Sequence, residues 1–364
     1  MHNPLARHPP WRQLVIVSIA LPLVVVAAVL AFAWPAARVA PRDLPIGVVG
    51  ATAQSQAFVA GLENARPDGF DVHLYADAAA ARRAIEQRDV YGAFAPGTQN
   101  MQVFEASAAG PAVAQVLTNA ATDYAARAGG TTTATDIVPL SRQDPRGTVL
   151  MAALLPLTIC SILIAGGVGV VVRFHTAWRQ ILALLTVSVV AATGVYLIAQ
   201  TWLGALPHRP AATWFGLAWT ILAISSATAG LIALLGPAGL GLSAVLMVFL
   251  GNPFSGVGSA PELLPHPVGQ LGQWLPPGAA VSLLRSTAYF DCAGANAHLA
   301  VLIAWSVFGV AAIVVGHRGP IRFAAASAKA GAGAGPAQPL VGLATSQRDD
   351  GQPTDALLLG VERA

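Results

Sequence analysis

Charge is what this 364-residue sequence has least of. Only 10 % of its residues are Asp, Glu, Lys or Arg, against about 25 % in a soluble protein, and 55 % are hydrophobic. That balance excludes an ordinary soluble domain and frames the chain as an integral membrane protein. Lysine is nearly missing, Lys329 standing alone beside nineteen arginines, and no function attaches to this. The two cysteines, Cys160 in an apolar run and Cys292 near a loop, form no CxxC, no zinc spacing and no disulfide framework. No GxxxxGK[ST] loop is present, so the chain does not bind ATP through that motif, and HExxH, GxSxG and EF-hand patterns are absent too. The eight histidines are scattered without ligand spacing. These absences leave no catalytic, cofactor-binding or metal-ligating candidate, and the expectation is a protein that is not an enzyme. The net charge of +3 reflects loop arginines rather than a nucleic-acid surface.

The charges that exist are clustered. Twenty of the thirty-seven, nine basic and eleven acidic, lie between Pro35 and Thr148. This marks a water-facing domain at 35–147 inserted into a membrane protein. It follows residues 1–12 and an apolar run at 13–34 that is long enough to span the bilayer. That run exceeds the 7–15 residues of a signal-peptide core, so it reads as an uncleaved anchor, although Ala31-Phe32-Ala33 could serve as a cleavage site. Within the domain, LPIGVVG from Leu44, FDVHLY (70–75), VYGAFA (90–95), MQVFEAS (101–107) and DIVPL (136–140) read as strands. Helices are expected over Gln54–Ala65, Asp77–Arg88 and Pro111–Ala128, with Asp77 as an N-cap and GGTTTAT as a loop. The order β-α-β-α-β-β-α-β predicts a small α/β sandwich. Arg82, Arg83, Glu86, Arg88 and Asp89 read as a solvated helix face.

Five apolar runs follow: Thr148–Val172, Ile181–Leu203, Trp214–Leu235, Ala238–Leu250 and His298–Gly316. With the first anchor they predict six transmembrane helices, the last five forming a domain at 148–316, and an unstructured tail at 317–364. Short-loop arginines (7, 12, 173, 179, 318 and 322 against 209 and 285) place both termini in the cytoplasm of a plasma (inner) membrane. Trp34, Trp202 and Trp214 read as anchors at the outer interface. No charge lies inside the five later runs, which argues against a proton pump or ion channel. Gly166-Gly167-Val168-Gly169 and the Ser226/Gly230 pair permit close helix packing, and Pro156 should kink its span. Gly239–Ala244 matches GxGxxA but follows no strand.

Two stretches stand out. Residues 252–296 have the Pro and Gly content of a loop, yet carry only Glu262, Arg285 and Asp291 as charges. Pro265 falls ahead of one short helix, Pro267–Leu275, which carries Trp274, and Pro276-Pro277-Gly278 separates it from a second, Gly278–Phe290. Each is too short to cross a bilayer, so the stretch reads as re-entrant or interfacial, with Ser259 and Glu262 as a capping box. Cysteines at Leu271 and Leu283 are expected to resist membrane-impermeant thiol reagents and one at Ser255 to react. Glu262 and Arg285 are expected to be the only charges near an outer mouth. The second stretch is the basic, aromatic connection Arg173, Phe174, His175, Thr176, Ala177, Trp178 and Arg179.

The layout of one anchor, an outer α/β domain, five spans and a Pro-rich pair before the last span resembles ABC type-2 exporter permeases, in particular the phage-infection-protein-like (Pip-like) branch. Pro261, Leu264, Pro265, Leu275, Pro276, Pro277 and Arg285 carry the likeness, with Ala81–Ile85 and Tyr91–Phe94. The resemblance implies a homo- or heterodimeric exporter of an apolar or amphiphilic substrate, surrounded by membrane lipid and powered by a separate cytoplasmic ATPase. Arg173–Arg179 would be the coupling loop, and Glu262, Pro265, Trp274, Pro276, Pro277 and Arg285 the outer gate. The alternative is a membrane-anchored, receptor-like surface protein that binds a partner without transport.

Overall fold

The computed structural model describes residues 11–171 and 176–332. It is mostly helical, with a small α/β sheet and five helices long and apolar enough to cross a membrane. The chain divides into one compact unit reaching Gly319 and a second from Pro320.

Helix α1 (Trp11–Ala37) is exposed along most of its apolar stretch, as expected of a helix solvated by lipid. After it come β1 (Leu44–Val49), α2 (Ala53–Ala65), β2 (Phe70–Tyr75), α3 (Ala78–Glu86), β3 (Gly92–Pro96), β4 (Asn100–Glu105), α4 (Pro111–Arg127) and β5 (Thr131–Asp136). The sheet order is β2-β1-β3-β4-β5, with β3 and β4 antiparallel and the other neighbours parallel. The element order matches the sequence reading, and local chemistry explains why. Asp77 caps α3 by accepting a hydrogen bond from Ala80 N at 2.7 Å, and Thr52 caps α2 from Ser55 N. Phe58 and Leu62 point from α2 into the core against Phe94, and Val59 packs at its edge.

The last strand differs from the expectation: it is Thr131–Asp136, within the supposed GGTTTAT loop, and not DIVPL. Threonine is β-branched and suits a strand, but the strand sits at the sheet edge with most residues exposed, so no apolar alternation announces it.

The later helices are α5 (Thr148–Val171), α6 (Ala177–Tyr196, continued by a π-helical turn Leu197–Trp202), α7 (Pro210–Leu235), α8 (Pro237–Ala244, continued by a second π-helical turn Val245–Gly251), α9 (Val268–Gln273), α10 (Pro276–Tyr289) and α11 (Ala295–Ala332). The fourth of the five expected runs is thus a short apolar helix, Pro237–Gly251, of about 22 Å, beside the five long ones. Helix α11 continues past Gly316, where an unstructured tail was expected. The continuation is alanine-rich, and alanine has the highest helix propensity.

Small residues decide one helix crossing. A Cβ at Gly230 would lie 2.7 Å from Ala312 Cβ, and one at Gly309 would lie 2.3 Å from the Ser226 backbone. The Ser226/Gly230 pair therefore brings α7 and α11 into contact, as its spacing predicts. Gly166, Gly167 and Gly169 do not play that part within the chain, since nothing lies within 4 Å of a Cβ at any of them.

Candidate functional site

The Pro-rich stretch is built around a helix that the protein encloses completely. All fourteen residues of α10 are buried. Leu284 packs with Leu157, Ala192, Leu217 and Ile221, while Ala279 and Leu283 pack with Ala223, Ala295 and Leu302. A helix start enclosed in protein leaves amide donors without partners. Pro276 and Pro277 remove two of them at the first turn. The polar face is bonded side chain by side chain. Ser282 Oγ donates to Gln273 Oε1 at 2.7 Å, Thr213 Oγ1 donates to Thr287 Oγ1 at 3.3 Å, and Tyr289 Oη donates to the Ala205 carbonyl. Arg285, 5 % exposed, donates to the carbonyls of Val257 (2.7 Å) and Gly256 (3.4 Å). It is a clamp on the loop before α9.

The α/β layer closes over this helix instead of standing apart. Ala260 and Leu263 belong to the same buried cluster as Leu44, Ile46, Phe58 and Phe94, so the Pro-rich stretch supplies part of the domain's core. A second cluster joins Ile85, Ala93 and Phe104 to Ala288, Tyr289 and Phe290 at the end of α10. The backbone also pairs there: Ala40 N donates to Leu263 O and Arg42 N to Glu262 O. Arg42 Nη1 adds a bond to the Leu263 carbonyl at 2.9 Å.

Two sequence expectations change here. Arg88 is not a solvated residue of the α3 face. It adopts φ +64°, its Nη1 donates to Ser282 O at 2.9 Å and to Ser286 Oγ, and its guanidinium stacks on Phe290 at 5.3 Å. Burial lowers its pKa, opposed by the nearby Tyr91 and Glu262. The Ser259/Glu262 capping box does not form. Ala260 precedes the short 3-10 turn Pro261–Leu263, and the Glu262 carboxylate instead accepts the Tyr91 hydroxyl at 2.7 Å. Burial first, and then the Glu262 charge, hold the Tyr91 phenol well above its ordinary pKa.

Between the layer and the helices lies a cavity of about 550 Å³. Glu262 lines it, joined by Arg42, Asp43, Arg88, Asp89 and two histidines, His266 and His298. Glu262 and Arg285 are thus not the only charges in this region. Arg42 lies 220 residues from Glu262 in sequence, beyond the reach of local pattern reading. Trp274 reaches the same cavity, 72 % exposed, and its carbonyl accepts Trp305 Nε1 of α11 at 2.8 Å.

A second hollow, about 490 Å³ and almost wholly apolar, is cut between α5, α6 and α7. It begins at Thr148 and Leu203 and reaches Ile164, about 24 Å along α5, passing Pro156 and Cys160. Gln200, in the π-helical turn at its upper end, has a buried Oε1 without a hydrogen-bond partner in the chain.

Of the basic connection, Arg173, Phe174 and His175 lie outside the described residues. Trp178 and Arg179 are exposed on the first turn of α6.

The thiol-accessibility expectation is revised by these positions. Ser255 is fully buried and Leu283 is 3 % exposed, whereas Leu271 is 52 % exposed. In Cys292→Ser, Cys160→Ser protein solubilised in detergent, Leu271→Cys is expected to react with maleimide at least about tenfold faster than Ser255→Cys or Leu283→Cys. Equal rates at the three positions would contradict the enclosure of α10.

The fold and its enclosed helix thus define a helical protein with five apolar helices able to span a membrane and an α/β layer sharing its core. No family model, no curated protein and no solved structure matches the chain.

Proposed function

We propose that the chain is the permease subunit of an exporter for an apolar or amphiphilic substrate, working as a dimer in the plasma membrane with a separate ATPase. The observation that carries this reading is the apolar hollow between α5, α6 and α7. It is long, open to the surface and within the 300–1,000 Å³ range of small-molecule sites. No Asp, Glu, Lys or Arg lines it, which suits cargo that partitions into lipid rather than an ion. Both termini face the cytoplasm, the α/β layer faces outward, and the short apolar helix Pro237–Gly251 completes six passes with its neighbours. Helix α10 and Arg285 then form the outer gate beneath the layer. Arg173, Trp178 and Arg179 face the ATPase.

The test is a pull-down in mild detergent with mass spectrometry. A nucleotide-binding subunit is expected to accompany the wild-type chain and to fall at least about tenfold in Arg173→Ala/Trp178→Ala/Arg179→Ala, a change comparable to losing interface hot spots. If no ATPase accompanies the wild type, or the triple variant retains it fully, the permease reading fails.

A further inference from the structure

Opposite charges face the cavity under the α/β layer without meeting. Arg88 and Glu262 both line it. The ion pairs among the described residues are His73–Asp71, Arg209–Asp291 and His266–Asp43, so Arg88 and Glu262 form none. Each is held back by its own partner. Arg88 commits Nη1 to Ser282 O and Ser286 Oγ, while its Nε and Nη2 donate to nothing among the described residues. Glu262 accepts Tyr91 through Oε2 and keeps Oε1 without a partner. Unused donors of a cation and an unused acceptor of an anion therefore border one space. Their separation is structural, since the Arg88 side chain is fixed on α10 and Phe290, and Glu262 is fixed on Tyr91. Both side chains are half-buried and their unused atoms stay open to the cavity, so one molecule bearing both complementary charges would engage them together. The volume fits a small ligand, and an interface between domain and membrane helices is a favoured place for one.

We propose that this cavity binds a small zwitterion, its oxyanion received by Arg88 and its ammonium by Glu262. Trp274, exposed on the same wall and tied to α11, offers an apolar exit for any chain attached to that group. The zwitterion is therefore either free in solution or the headgroup of an aminophospholipid. This assignment is separate from transport through the α5–α6–α7 hollow and does not depend on an ATPase.

O-phosphoethanolamine is the soluble probe, titrated calorimetrically into the purified full chain in detergent, with phosphate alone and ethanolamine alone as controls. Saturable binding of phosphoethanolamine is expected, with each half-molecule at least about tenfold weaker. Glu262→Gln keeps an acceptor for Tyr91 and so preserves the packing, which its unchanged Tm would report. It should weaken phosphoethanolamine about tenfold and leave phosphate unchanged. A parallel arm compares nanodiscs of phosphatidylglycerol with and without phosphatidylethanolamine. A Tm rise with the latter lipid that Glu262→Gln abolishes, without binding of the soluble probe, identifies the lipid headgroup. The inference is overturned if neither source binds, if phosphate alone binds as tightly as phosphoethanolamine, or if Glu262→Gln changes nothing in the arm where the wild type binds.

Discussion

Truncating Leu263 to alanine is expected to destabilise the protein by about 2–5 kcal/mol, read as a fall in Tm and as faster protease cleavage within the α/β layer. Leu263 is 0 % exposed and packs in one cluster with Leu44, Ile46, Phe58, Phe94 and Leu117. Its backbone accepts Ala40 N and Arg42 Nη1, so the segment that carries it is fixed on both sides. Little nearby can collapse into the space left by three lost carbons, because β1 and α4 are held by the sheet. Cleavage should appear around α2 and α4, over 130 residues from the substitution. If Leu263→Ala left both the Tm and the cleavage pattern of the layer unchanged, the shared core would be wrong. The equivalent truncation at Leu271, half exposed on α9, is expected to cost little.

The second large effect is expected at Gly309. A valine there would place its Cβ about 2.3 Å from the Ser226 carbonyl carbon, a backbone atom that cannot rotate away. Relief requires α7 and α11 to part, which also removes contacts at Gly230 and Gly316. Overpacking of this kind costs about 1–3 kcal/mol and often more where two backbones meet, so Gly309→Val should lower the Tm clearly and broaden the gel-filtration peak. Gly166→Val is the contrast. With nothing within 4 Å in the chain, it should leave the monomer's Tm unchanged. If Gly166→Val instead dissociates a purified dimer, the glycine face of α5 is where the second copy sits. A Gly309→Val protein as stable as the wild type would rule out the close crossing.

Much of this architecture follows from local pattern. The apolar runs, the β-α-β-α-β-β-α-β order, the Asp77 cap and the breaks at Pro267 and Pro276-Pro277 depend on neighbouring residues, and the structure places them within a few positions of the reading. Strand β5 escaped because a polar edge strand has no buried face to impose alternation. The site was legible in part. Glu262, Trp274 and Arg285 were singled out as rare polar or amphipathic groups in an apolar stretch, but their partners were not. Arg88 looks like one more charge on a helix rim, and only the turn after α3, at φ +64°, directs it onto α10. The Tyr91–Glu262 and Arg42–Leu263 bonds span 171 and 221 residues, distances at which sequence periodicity carries no information. The Ser255 expectation failed for the same reason. A serine in a Pro- and Gly-rich loop looks solvent-facing until the rest of the chain covers it.

Leu263 also fixes an order of events during synthesis. The sheet and its helices are complete in sequence by Asp136, yet the cluster they enclose still lacks Ala260 and Leu263. Four further helices, α5 to α8, must leave the ribosome first. At roughly 5–20 residues per second, the interval from Asp136 to Leu263 lasts on the order of ten seconds. Throughout it the half-built layer lacks two residues of its buried cluster. Completion of the layer therefore waits on a segment made after four intervening helices.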